Sequence, residues 1–264
     1  MSGKRPTGPD PARMPLGPEH ASVDELGVSD QTHAGKAYRA LRSMILRCEL
    51  RPGDVVQEKM LMQQLEIGRT PIREALLRLA GERLVLFRWN QIQIASISIG
   101  DIRDLYEMRL HNERMAARLF LQRLTPQRQE ALESAFEDAP RLLEAGRIYD
   151  AINLDFEFHS LIYRGSRNAF LIHHLHNLFG HSYRLWWLTH ESSEPSDMER
   201  IVQSHEPMID AVRRRDPVAL DREMTTHIVN SFERALSVLK GDGVDSINDL
   251  EPYDLGEKDD EQHN

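Results

Sequence analysis

Apolar residues of the first hundred positions recur at helical spacing in three segments. The first runs from Ala37 to Cys48 and is followed by a turn at Arg51–Asp54. The second segment predicts a short helix over Glu58–Leu65. The third predicts a helix over Thr70–Gly81, with Thr70 as N-cap and proline at the first helical position.

The spacing of apolar residues changes after these helices. Leu84–Arg88 and Ile92–Ser96 are short and alternating or β-branched, and they flank Trp89-Asn90-Gln91. This pattern predicts a small hairpin. Helix, turn, helix, tight turn, helix and hairpin is the order of a winged helix-turn-helix, the fold predicted for this part of the chain.

Strand signals disappear from Ile99 onward. Asp101–Leu124 is periodic and helical, and Thr125-Pro126 and Asp216-Pro217 are cap-and-proline pairs that open two further helices. Helical runs are predicted near residues 126–145, 147–164, 168–192 and 197–214. The fold class is therefore mainly α, an N-terminal winged helix-turn-helix and a C-terminal all-helical bundle of about six helices.

The predicted organisation has four parts: a disordered leader at 1–34, a DNA-binding domain at 35–98, an all-helical domain at 99–240 and an acidic disordered tail at 241–264. Charge separates the two domains. The net charge of the chain is −9. Residues 35–98 carry eleven Lys/Arg and six acids, a net +5, which leaves −14 for the remainder. A basic module on an acidic body favours a nucleic-acid partner for the module alone.

Composition excludes several classes of protein. No stretch approaches the ~20 apolar residues of a membrane helix, and the first thirty residues lack the apolar segment of a secretory signal. Cys48 is the single cysteine, which rules out an intrachain disulfide and a cysteine-rich metal cluster. We therefore expect a cytoplasmic protein without a membrane partner.

The second helix of the predicted pair presents its N-terminal side chains to base edges in the DNA major groove. Here these are Arg69, Thr70 and Arg73, with Arg78 further along. Arginine binds guanine through two donors, and threonine contacts a base or a phosphate. The pattern alone also fits a helical packing module whose arginines are solvated.

The helical domain contains a possible metal site. Asp155 and His159 are four residues apart on one helical face, and His205 and His227 lie on later helices. Side chains from three helices converge in bundle cores, and carboxylate with imidazole suits a divalent transition metal. With twelve histidines in the chain, such a pair is also expected by chance. A second group, at 173, 174, 176 and 181, has no acid at helical spacing and is interpreted as surface or dimer-interface histidines.

The N-terminal domain also resembles a known protein family. The segment at 49–85 resembles the N-terminal domain of GntR-family bacterial transcription regulators, and reads ELRPGDVVQEKMLMQQLEIGRTPIREALLRLAGERLV. The matching positions are Leu50, Pro52, Gly53, Glu58, Leu65, Ile67, Arg69, Thr70, Pro71, Arg73, Glu74, Ala75 and Leu76. The resemblance implies DNA contacts by Arg69, Thr70 and Arg73, and a phosphate or base contact by Arg42. Arg88 in the wing is a further predicted phosphate contact.

The sequence departs from the family pattern at three places, two single residues and the tip of the wing. Glu66 replaces the glycine usual between the two helices, so either it adopts a left-handed backbone or the turn differs. Gly68 replaces the usual serine cap. The wing carries Trp89-Asn90-Gln91 where the family has an Asn-Arg-Gly-like tip, so wing contacts are not carried over.

Residues 102–239 resemble the FCD ligand-binding domain of the FadR subgroup. The matching pieces are Asp104-Leu105-Tyr106-Glu107-x-Arg109-x3-Glu113-x2-Ala116-Ala117, Asp155-x3-His159, Ser166-Arg167-Asn168 and His205-x7-Arg213-x2-Asp216-x10-His227. The resemblance implies one divalent transition metal per chain (Zn, Ni or Mn) on Asp155, His159, His205 and His227. Arg109 matches an arginine that pairs with an anionic effector, or it is salt-bridged to Glu113.

The function expected from these patterns is transcription regulation by a homodimer, a repressor by family, on a palindromic double-stranded DNA operator. A small carboxylate effector at the metal site would control operator affinity. In one alternative the metal is structural or is itself the signal. In another the domain is a metal hydrolase, which the sequence does not favour because it has no HExxH or comparable pattern.

Overall fold

The computed structural model describes residues 32–89, 91–145, 148–189, 200–201 and 203–241. The predicted leader and tail lie almost wholly outside them. The helices are α1 (His33–Leu46), α2 (Glu58–Leu65), α3 (Arg69–Gly81), α4 (Ile99–Gln122), α5 (Pro126–Ala135), α6 (Ala139–Glu144), α7 (Ile148–Gly165), α8 (Ala169–Thr189), α9 (Glu206–Arg213) and α10 (Pro217–Gly241). The strands are β1 (Val55–Val56), β2 (Val85–Arg88) and β3 (Gln91–Ile94). The prediction of a mainly α protein is confirmed.

Helices α1, α2 and α3 form the core of the head, by which we mean residues 32–97. The apolar residues that share one face of α3 are all buried, namely Ile72, Ala75, Leu76 and Leu79. Helix α2 has the predicted bounds, but α3 begins at Arg69 with Gly68 as N-cap, so Thr70 is not the cap. Glu66 closes α2 in the left-handed region at φ 55°, the first of the two alternatives that its sequence position predicts.

The wing is a three-stranded antiparallel sheet in the order β1-β3-β2. Strands β2 and β3 form the predicted hairpin, with Arg88 opposite Gln91. Strand β1 was not predicted, because two residues are too short for a period to be read. It is placed by the turn before it, where Gly53, at φ +87°, donates its N–H to the carbonyl of Ile94 at 2.9 Å.

The body, residues 98–241, is an all-helical bundle. Helix α4 starts at a capping box in which Ser98 and Asp101 each accept the other's backbone N–H. It runs along α10, where the rings of Tyr106 and Phe232 lie 5.5 Å apart, and it also packs on α7 and α8. The single helix predicted near 126–145 is two helices, because the chain turns at the buried Phe136. The described part of the body therefore has seven helices rather than about six. None of the helices described is long and apolar enough to cross a membrane.

Candidate metal centre and DNA-binding surface

Four side chains predicted to bind metal meet in the core of the body. Asp155 and His159 lie one turn apart on α7, His205 immediately precedes α9, and His227 lies on α10. One ligand atom from each is within 4.8 Å of all the others. Asp155 Oδ1 is 3.0 Å from His205 Nε2, and His159 Nε2 is 3.1 Å from His227 Nε2.

The other ring nitrogen of each histidine lies beside a different polar atom. The three pairs are His159 Nδ1 with Glu113 Oε2 at 2.7 Å, His205 Nδ1 with the carbonyl oxygen of Ile201 at 2.8 Å, and His227 Nδ1 with Ser204 Oγ at 2.9 Å. The His205 and His227 contacts have hydrogen-bond geometry, and the contact of His159 with Glu113 is close but lacks it. Outer contacts of this kind fix the orientation of a metal-binding imidazole. All three rings therefore direct Nε2 to the same point.

The donor set fits a divalent transition metal. Asp155 Oδ1 and His205 Nε2 are buried and have no hydrogen-bond partner of good geometry among the described residues. Adjacent ligands at about 2.1 Å from one cation lie about 3 Å apart, close to both measured pairs. Burial opposes ionisation of Asp155, but His205, His159 and Arg109 hold its pKa below the usual value. Burial and the neighbouring imidazoles lower the pKa of His227 well below its usual range, so it is neutral, as a ligand must be.

Arg109 forms the salt bridge with Glu113 that was one of its two predicted alternatives. It is 4% exposed, and its Nη2 lies 2.6 Å from Glu113 Oε1. Its guanidinium also stacks 5.0 Å from the ring centre of Phe179. Burial opposes ionisation of Glu113, but Arg109 and His159 lower its pKa to about 2. A chain of contacts thus runs from Arg109 through Glu113 to His159, a predicted metal ligand, and the effector role of Arg109 stays a prediction.

Sequence reasoning did not find the supporting contacts of the histidines. Glu113 was considered only as the partner of Arg109, because i,i+4 spacing shows which residues share a helix face and not what the next helix brings to it. Ser204 and the carbonyl of Ile201 gave no signal, because a serine and a backbone oxygen have no distinguishing pattern.

The predicted DNA-contacting residues Arg69, Thr70 and Arg73 lie together at the start of α3 and are exposed. The side chains of Arg69 and Arg73 are 74% and 58% exposed, and both donate to the carboxylate of Glu58 at 2.9 Å. Arg88 is exposed at the end of β2, beside the fully exposed Trp89. These positions suit contact with a large ligand, and their contact with DNA stays a prediction.

The structure does not support a DNA contact for Arg42. Its side chain is 1% exposed, and its Nε donates to Glu82 Oε2 at 2.9 Å. The hydroxyl of Tyr38 binds the other oxygen of Glu82. A guanidinium buried in this way is closed to a phosphate, so we assign Arg42 to the packing between head and body.

One segment of α8 joins head and body. His181 Nε2 is 2.9 Å from the carbonyl oxygen of Glu82, and Arg184 Nη2 donates to the carbonyl of Ala95 at 2.7 Å. A Cβ on Gly180 would lie 2.7 Å from Arg42 Nη2, so the two helices approach closely there. We call residues 179–184 the junction segment.

Comparison with known proteins agrees with both parts of this architecture. Residues 33–91 match the family model described as bacterial regulatory proteins, gntR family, and residues 104–230 match the FCD domain. The solved structure of Escherichia coli McbR/YncC has the same fold. It superposes with a TM-score of 0.69 at 20% identity, covering 80% of this chain and 98% of that one.

Relatives of known name are transcription regulators rather than enzymes. The HTH-type transcriptional repressor RspR of Escherichia coli K12 is 26% identical over 192 residues, 72% of this chain and 83% of that protein. The Nta operon transcriptional regulator of Aminobacter aminovorans is 29% identical over 201 residues, 75% of this chain and 92% of that protein. The chain is therefore a DNA-binding transcription regulator that belongs to the GntR family and carries an FCD domain.

Proposed function

We propose that this regulator is a cytoplasmic homodimeric repressor whose affinity for a palindromic operator is set by a small carboxylate effector bound at a metal in the body. The observation that carries the proposal is the convergence of Asp155, His159, His205 and His227 through atoms within 4.8 Å of one another. The name of the relative RspR supports repression.

The head supplies the DNA contacts in this proposal. Arg69, Thr70 and Arg73 bind base edges from the start of α3, and Arg88 binds a phosphate from the wing. Two heads held by one dimer address two half-sites of the operator. Because the acidic body repels DNA, binding depends on the basic head and weakens as salt rises.

The body supplies the control. Asp155, His159, His205 and His227 would hold a divalent metal, and a cation that takes more than four ligands would have a position left for a carboxylate. Glu113, Ser204 and the Ile201 carbonyl hold the three imidazoles in orientation. Arg109 places positive charge beside these ligands, and an anionic effector reaches it by competing with Glu113.

The junction segment connects the two sites. The ring of Phe179 lies 5.4 Å from that of His159 and under the guanidinium of Arg109. The next residues along α8 bind the head, through His181 to Glu82 and through Arg184 to Ala95. A shift of α8 on effector binding therefore reaches the head within six residues, and this shift is how one site biases the other.

The first experiment measures metal content. Purified wild type is compared with the double variant His159→Ala/His227→Ala after loading with zinc and removal of free metal. We expect about one zinc per chain in the wild type and none in the variant, because two of four ligands are gone.

The matched control is His173→Ala/His174→Ala, which removes two histidines from α8 outside the four-residue set. It should keep its zinc. Equal zinc content per chain in the two double variants would contradict the proposal. If removal of the metal by a chelator changes the operator affinity of the loaded protein, and no added carboxylate changes it, the metal itself is the signal.

A further inference from the structure

We infer that Glu58 is a positioning residue for DNA recognition, which holds the two recognition arginines in one preset arrangement and thereby raises sequence specificity at some loss of nonspecific affinity. This inference rests on the proposed base contacts of Arg69 and Arg73. It concerns an acid that carries no expected role in DNA contact.

Glu58 stands between the two helices of the motif. It is the first residue of α2, whereas both arginines lie on α3. Its Oε2 accepts from Arg69 Nε at 2.9 Å and its Oε1 from Arg73 Nη1 at 2.9 Å. Its own side chain is 14% exposed, so the carboxylate lies beneath the arginines rather than beside them in solvent.

Both carboxylate oxygens are used, and each arginine keeps donors that Glu58 does not bind. Arg69 retains its two terminal nitrogens, and Arg73 retains Nε and Nη2. Each of these pairs can serve a guanine through O6 and N7. The carboxylate therefore selects which edge of each guanidinium faces outward.

The carboxylate of Glu58 has opposite effects on specific and nonspecific DNA binding. Two arginines four residues apart on one helix repel each other, and the shared carboxylate compensates for this repulsion. Fixing both side chains before binding removes part of the rotamer entropy that binding would cost. The same carboxylate repels phosphates, so it weakens contacts that need positive charge alone. A merely structural salt bridge would not produce opposite effects on specific and nonspecific binding.

The test uses Glu58→Gln, which removes the charge and keeps the shape. The probes are a duplex selected by the wild-type protein from a random-sequence DNA pool and poly(dI-dC) as nonspecific DNA. We expect weaker binding of the selected duplex, tighter binding of poly(dI-dC), and a specificity ratio lower by about tenfold or more, the value of one well-placed arginine contact.

Glu66→Gln is the matched control. Glu66 is exposed in the same head, forms no ion pair among the described residues, and undergoes the same change of charge. Glu66→Gln should raise the affinity for the selected duplex and for poly(dI-dC) by the same factor. The specificity ratio should then stay unchanged. Thermal unfolding of each variant checks that the head is folded.

Arg73→Ala separates the inference from the proposed function. If Arg73→Ala leaves binding of the selected duplex intact, the proposed base contact is wrong. If Arg73→Ala abolishes selective binding while Glu58→Gln behaves like Glu66→Gln, the base contact stands and the positioning role is overturned. Weaker binding of both duplexes by a folded Glu58→Gln protein overturns it as well.

Discussion

Glu66 forms the turn between the two helices of the DNA-binding motif with a left-handed backbone, φ 55° and ψ 36°. A side chain in this region costs about 1 kcal/mol relative to glycine. We expect Glu66→Gly to raise the free energy of unfolding by about 1 kcal/mol, measured by urea denaturation. Gln63→Gly, at an exposed position inside α2, is the control and should lower it. A loss of stability in both variants would contradict this account.

Individual residues differed in how far the sequence could predict them. The convergence of the four predicted metal ligands follows from helical spacing together with family resemblance, because each lies in a motif that can be read along the chain. Arg42 was assigned to DNA by resemblance, but burial against Glu82 and α8 depends on tertiary packing that no local pattern encodes. The left-handed Glu66 was one of the two alternatives that the missing glycine left open, and the sequence could not choose between them.

At the scale of elements, α7 ends against α4 through a glycine. A Cβ on Gly165 would lie 2.2 Å from Cδ2 of the buried Phe120. We expect Gly165→Ala to destabilise the protein by about 1–3 kcal/mol, because an added methyl must push a core ring aside. Gly81→Ala, which meets nothing within 4 Å, is the control for the same urea measurement. Equal stability of the two variants would show that α7 and α4 are packed loosely here.

We expect the contact of α8 with the head to weaken as pH falls. Burial lowers the pKa of His181 to about 4, although its bond to the Glu82 carbonyl acts in the opposite direction. Because this pKa lies below that of the unfolded chain, the stability from neutral His181 is complete above about pH 6.5 and is lost as pH falls toward 4. Between pH 7 and pH 5 the loss is about 2 kcal/mol.

His181→Gln tests this contribution. Glutamine keeps an N–H donor toward the carbonyl but does not titrate, so the free energy of unfolding should fall less between pH 7 and pH 5 than in the wild type. His174→Gln, at an exposed position on the same helix, should keep the wild-type slope. Identical slopes in all three proteins would mean that His181 is protonated freely in the folded state.

Helices and their order were largely predictable at this scale, and contacts between them were not. The period of apolar residues identified α3 and α4 because each buries one continuous face. The break between α5 and α6 was not predicted, because Phe136 continues the apolar period through the turn. Strand β1 was not predicted either, because two residues are too few to show a period.

At the scale of the whole molecule, metal binding should stabilise the folded state. Three almost fully buried histidines and one aspartate come from separate parts of the chain, so the unfolded chain does not hold them together. We expect zinc at a hundredfold excess over its Kd to add about 2.7 kcal/mol by mass action. The midpoint of thermal unfolding should rise by about 5–10 °C. The double variant His159→Ala/His227→Ala should show no such rise, and an equal rise in both proteins would place the zinc elsewhere.

The junction between α8 and the head has a consequence for how such regulators diversify. His181 and Arg184 bind backbone carbonyl oxygens of the head, at Glu82 and Ala95. Backbone atoms are unchanged by most substitutions, so recognition residues on α3 can be exchanged without altering these two bonds. A lineage can therefore acquire new recognition residues while it keeps these two contacts between head and body, and a head transplanted between related bodies brings both carbonyl groups with it.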